Sequence, residues 1–179
     1  MGHKDFQYKG HRNSYTELNE VYFWTITINQ WQHLLKTDEN KMIVINSLQW
    51  LVKKELVKIY GYVIMPNHIH LLWEQLSLNG KEFPKISFEK FTAKILVNKM
   101  KAGNDAALKK FAVTASDREY NIWLRNPLAI KIFSRELAAQ KLEYMPARLV
   151  SGHLNPLQPH WLLCTNPAEY RFSSAKFYE

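Results

Sequence analysis

The sequence predicts an α+β fold in which helices cover one face of an antiparallel sheet. One run alternates with a period of two, others repeat apolar residues every three or four positions, and two β-rich runs are separated only by Pro66 and Asn67. Read in order, these give strand, helix, strand, strand, helix, the sequence of a layered α+β sandwich. A chain of 179 residues fits one domain spanning 1–179 and is long enough to bury its own core.

Residues 21–29 place Tyr22, Trp24, Ile26 and Ile28 on one face and Phe23, Thr25 and Thr27 on the other, the pattern of a first strand. Over 38–58, Met42, Ile45, Leu48, Val52 and Leu56 recur at helical spacing behind a Thr37 or Asp38 cap. Residues 59–65 and 68–75 form a hairpin about Pro66-Asn67. Asn79-Gly80 and Pro84 mark 78–87 as a loop, and a second helix is expected over 88–101, stopped by Gly103. The pattern weakens over 104–126, where Tyr120, Ile122 and Leu124 are the candidates for a short strand. Ser134 caps a helix over 135–144, and Pro146, which cannot continue the hydrogen-bond ladder, is expected to end it near Tyr144. The region from about 150 to 179 is proline-punctuated, ends in aromatics and reads as a wrapped extension.

Composition narrows the class. A chain 46% hydrophobic, with 13% aromatics, is too apolar to remain disordered. The lone Cys164 can form neither an internal disulfide nor a thiolate zinc site, so a reducing, cytoplasmic setting is expected. No run approaches the roughly 20 apolar residues of a membrane span, and no apolar leader core opens the chain. The net charge of +8 produces a field that attracts polyanions, nucleic acid among them.

Two histidines carry the chemical signal. His68 and His70, two apart on a strand, leave the same face with their bases about 7 Å apart, so both imidazoles can reach one ion, while Ile69 points into the core. Alone, such a pair does not distinguish a metal site from two packed histidines. Its setting is Tyr60-Gly61-Tyr62-Val63-Ile64-Met65-Pro66-Asn67-His68-Ile69-His70-Leu71-Leu72, with the histidines opening a strand directly after a turn.

That run resembles the signature of the REP-associated tyrosine transposases, a branch of the single-tyrosine HUH transposases (histidine, hydrophobic residue, histidine). The resemblance continues through Phe88-Glu89-Lys90-Phe91-Thr92-Ala93, Trp123-Leu124-Arg125-Asn126-Pro127-Leu128-Ala129-Ile130, Gln140-Lys141-Leu142-Glu143-Tyr144 and Ser173-Ser174-Ala175-Lys176-Phe177-Tyr178, covering nearly the whole chain. It implies a ferredoxin-like sandwich, usually a homodimer, in which His68 and His70 hold Mg²⁺ or Mn²⁺. It also implies that Tyr144 attacks single-stranded or hairpin DNA and forms a covalent 5′-phosphotyrosine.

The sequence departs from the family just after Tyr144. The family pattern is Tyr-x-His-x-Asn-Pro, whereas here residues 146–152 intervene before His153-Leu154-Asn155-Pro156. Either this seven-residue insertion loops out and returns Asn155 as a third metal ligand, or the ligand is lost and the chain is a DNA-hairpin-binding protein with impaired chemistry. Arg148, four beyond Tyr144, is a cation suited to a phosphate and not to a metal. Lys90, Lys94, Lys99 and Lys101 on the second helix are candidates for the DNA backbone, and Arg125 for gripping the strand.

Overall fold

The computed structural model describes residues 14–151 and 163–178, with the side chains of 148–151 outside the described set. The first strand, β1, spans Val21–Thr27, and helix α1 follows over Asp38–Lys53 with Thr37 accepting from the Asn40 N–H as its N-cap. The hairpin is β2 (Val57–Ile64) and β3 (His68–Gln75), and α2 runs Pro84–Ala102. A small hairpin of β4 (Ala112–Ala115) and β5 (Arg118–Tyr120), the edge strand β6 (Leu128–Lys131) and α3 (Arg135–Ser151) complete the order.

The main sheet has the strand order β2-β3-β1-β6 and is antiparallel throughout. Tyr22, Trp24, Ile26 and Ile28 point to the face covered by α1 and α2, where they meet Val44, Leu48, Leu51, Phe88 and Leu96. This is the expected helical layer over one face. α3 lies across the other, where Met145 joins Phe23, Val63, Met65 and Leu72 in a second, smaller core. β3 is thus covered on both sides, and nearly every one of its residues is buried.

The larger departures from the sequence expectation are at the end of α1, the start of α2, the segment after Tyr120 and the end of α3. α1 stops at Lys53, short of residue 58, in a Schellman turn: Leu56 N–H bonds the Leu51 carbonyl and Glu55 N–H that of Val52, with Glu55 at φ 55°. Leu56 keeps its core place by packing from the turn. α2 begins at Pro84, inside the expected loop, because a proline at the first helical position forfeits no hydrogen bond. Tyr120 ends β5, but Ile122 and Leu124 instead bond the end of β1, as Ile122 O accepts from Asn29 N–H and Leu124 N–H donates to Thr27 O.

α3 passes through Pro146 and continues to Ser151. An internal proline costs a helix roughly 3 kcal/mol. Burial of Met145 on the residues either side of the β2-β3 turn offsets it, with Leu142 packing alongside. The first six inserted residues are therefore helix rather than a bulge. Among the described residues no helix is long and apolar enough to cross a membrane.

β2 accepts α3 closely because of Gly61. A Cβ there would stand 2.6 Å from Leu142 Cδ2 and 2.8 Å from Met145 Cε. The outer edge of β2 is capped by the C-terminal segment, where Ser174 N–H donates to Tyr62 O and Tyr170 Oη to Ile64 O. Gly61→Ala is expected to push α3 outward and destabilise the chain by about 1–3 kcal/mol in urea unfolding. An unchanged midpoint would show that the two helix side chains can turn aside.

Candidate active site

The site is built on the face of β3 that looks at α3. Register sets Thr25 opposite His70 and Thr27 opposite His68, with Val63 opposite His70 on the other side. Alternation then sends Ile69 and Leu71 into the helical core and both imidazoles the other way. The two rings are buried, their centroids 4.8 Å apart and their planes at 74°.

A neighbour orients each imidazole through Nδ1. His68 Nδ1 lies 2.6 Å from Asn67 Oδ1, and the amide is turned that way because Asn67 Nδ2 donates to the Trp31 carbonyl at 3.5 Å. An amide oxygen only accepts, so in this contact His68 donates from Nδ1. His70 Nδ1 lies 2.7 Å from Thr25 Oγ1, a hydroxyl that serves either tautomer. With both Nδ1 atoms engaged, Nε2 is the atom each ring would turn to a metal, and such supporting hydrogen bonds are the rule for metal-binding histidines.

α3 brings the phenol. The Tyr144 ring sits 5.7 Å from the His70 ring, edge to face at 74°, and 6.0 Å from Phe23. Phe23 in turn stacks on His70 at 5.2 Å, so one aromatic wall holds both groups. One turn before Tyr144, Lys141 Nζ stands 5.2 Å from the Phe23 centroid and 5.8 Å from that of Tyr144. Burial lowers the pKa of its ammonium below the ordinary lysine value.

The structure thus gathers His68, His70 and Tyr144 as the sequence grouped them, and adds Phe23, Thr25, Asn67 and Lys141. The last four gave no signal of their own, although Thr25 faces the histidines once strand register is known. Asn155 lies outside the described residues. Arg148 has its backbone in α3, one turn beyond Tyr144, and its side chain is outside the described set.

The remaining cations sit elsewhere. α2 lies on the opposite side of the sheet, so Lys90, Lys94, Lys99 and Lys101 do not line the histidine face. Lys90 pairs with Glu82, Lys101 with Glu119, and Lys99 donates to Asn40 of α1, while Lys94 is exposed. Lys90 and Arg125 border one cleft beside β5.

The donor set suits a divalent ion in part. Two oriented imidazoles on one face can supply two ligands. Among the described residues, no group of three His, Cys, Asp or Glu gathers as a metal site, so further positions would fall to DNA oxygens, water or a residue outside the described set.

No family model matches the chain, and no curated protein matches it. Among solved structures, a REP-associated tyrosine transposase bound to a REP hairpin superposes with a TM-score of 0.59, covering 94% of this chain and 83% of that one at 16% identity. The fold is that of a tyrosine transposase. A second solved structure, named as a transposase candidate from Deinococcus radiodurans R1, gives a TM-score of 0.43 over 78% of this chain and 96% of that one, also at 16% identity.

Thr25→Val is expected to leave the fold intact, cost about 1 kcal/mol in unfolding free energy, and shift the ring-nitrogen NMR signals of His70. Unchanged His70 signals would show that the hydroxyl does not orient that ring.

Proposed function

We propose that this chain cleaves and rejoins single-stranded DNA, with Tyr144 as nucleophile and His68 and His70 holding Mg²⁺ or Mn²⁺. One observation carries the reading: a helix far along the chain crosses the sheet face to set the Tyr144 ring 5.7 Å from the ring of His70. A phenol beside two oriented imidazoles in a basic protein suits phosphoryl transfer through a covalent intermediate. A bound ion would supply positive charge against the scissile phosphate.

The chain's own residues account for the rest. Tyr144 Oη attacks the phosphorus and loses its proton, a 5′-phosphotyrosine bond forms, and the bond from phosphorus to the 3′ oxygen breaks. The 3′ oxygen takes up a proton and leaves as a hydroxyl. A 3′ hydroxyl of another end then attacks the phosphotyrosine, restoring a phosphodiester and releasing the phenol, so no external energy source is needed. The Lys141 ammonium beside the phenol offsets negative charge as phosphate and phenolate meet, and Phe23 keeps water from the ring faces. Thr25 and Asn67 hold the imidazoles in register.

A second reading has its own support. α3 carries the chain from Tyr144 to Ser151, seven residues and about 10 Å along the axis at ~1.5 Å per residue. Asn155 follows only four residues after that. A hairpin-binding protein whose metal site has lost its third ligand is consistent with that spacing. We propose the homodimer and the cytoplasmic setting only as further expectations of the transposase reading.

With end-labelled hairpin oligonucleotides and Mn²⁺, the wild-type chain is expected to give a covalent adduct on a denaturing gel. Tyr144→Phe should lower it by at least ~10³-fold while leaving DNA affinity within about threefold. Lys141→Met should lower cleavage by about 10²-fold. Native complexes without adduct or nick from the wild type would favour the binding protein, and full cleavage by Tyr144→Phe would move the nucleophile elsewhere.

A further inference from the structure

Beside α2, a cleft of about 460 Å³ opens between that helix, the β4-β5 hairpin and residues 121–125. Its walls combine Glu89 and Lys90 of α2, Arg118 and Tyr120 of β5, and Trp123 and Arg125. Nothing in the cleavage site uses these groups, and a cleft of this size suits a small ligand such as a single nucleotide.

Glu89 is the unusual member. Its carboxyl is half-buried and makes no hydrogen bond or ion pair among the described residues. Burial pushes its pKa up to about 7, against the pull of Lys85 and Arg118. A carboxyl left so at a cleft is poorly compensated by the protein itself, and an amino group brought by a ligand would satisfy it. Around it stand cations suited to phosphate. Arg118 is bound to Asp117 and Lys90 to Glu82, whereas Arg125 is exposed and makes no ion pair among the described residues.

The cleft is close to the histidines by way of the sheet. Leu124 N–H donates to the Thr27 carbonyl at 2.7 Å, and Thr27 is the register partner of His68. Two strand spacings, about 10 Å, therefore separate His68 from the chain that carries Arg125. A strand laid on the histidine face could reach the cleft around this edge within a few nucleotides.

We infer that the cleft takes one nucleotide of the bound DNA strand, with Glu89 accepting from the exocyclic amino group of its base, which among the pyrimidines selects cytosine, and Arg125, helped by Arg118 and Lys90, holding its phosphate. This rests on the single-stranded DNA reading above. At pH 8, where Glu89 is mostly carboxylate, cytosine offers it an amino donor whereas the thymine carbonyl repels it. An amide at position 89 could meet either base.

The test uses cleavage-silent Tyr144→Phe protein and a pool of hairpin oligonucleotides with randomised single-stranded flanks, recovered by native gel and sequenced. One flank position is expected to be enriched in cytosine over thymine by about tenfold, and Glu89→Gln should flatten it. Arg125→Ala should weaken binding to every oligonucleotide and reduce its salt dependence. Base profiles identical with and without Glu89→Gln, or unchanged affinity and salt dependence in Arg125→Ala, would overturn the assignment. Adduct formation by the wild-type chain is scored separately, so a flat profile with an adduct present rejects this cleft and spares the cleavage reading.

Discussion

The register between β1 and β3 is the constraint on which the rest of the molecule depends. A strand turns successive side chains to opposite faces, so a slip of one residue would exchange everything β3 shows to each side. As paired, Ile69, Leu71 and Trp73 fill the core beneath α1 and α2, and His68 and His70 are left to the face beyond. Burying the three apolar side chains, at about 1.5–3 kcal/mol for a fully buried aliphatic or aromatic side chain, holds the register. The histidines are placed by the energy of residues that do no chemistry.

The same register supplies their orientation. Thr25 reaches His70 because the two residues are partners across the sheet, and Asn67 reaches His68 from the turn that joins β2 to β3. α3 then closes the face. Gly61 allows its close approach, Met145 anchors it, and the anchoring outweighs the proline that follows. Tyr144, next to that anchor, is thereby fixed against His70. The proposed phosphoryl transfer requires groups held in place more than it requires unusual residues.

Much of this was legible in the sequence where it was written in a local period. The alternation of residues 21–29 and the Pro66-Asn67 turn predicted the strands that matter, and Thr37 marked a helix start by its chemistry; Gly103 stands at the end of α2, but at φ −85°, with Asn104 as the left-handed residue. The misplaced boundaries had other causes. The end of α1 relies on Glu55 in a conformation usually left to glycine, and nothing in its side chain announces it. Pro146 broke the local rule and was overridden by tertiary packing. β6 has four residues, too few for a period, and borrows its strand from β1. Phe23, Lys141 and Glu89 became visible only once distant elements had been brought together.

In the proposed reaction Tyr144 is the residue that becomes joined to DNA. The most direct measurement is mass spectrometry of the wild-type chain after reaction with a hairpin oligonucleotide and Mn²⁺, followed by nuclease and trypsin digestion. A nucleotide remnant is expected on the peptide spanning 142–148, which contains Tyr144 as its only tyrosine. A remnant on a peptide carrying any other tyrosine, with 142–148 recovered unmodified, would contradict it.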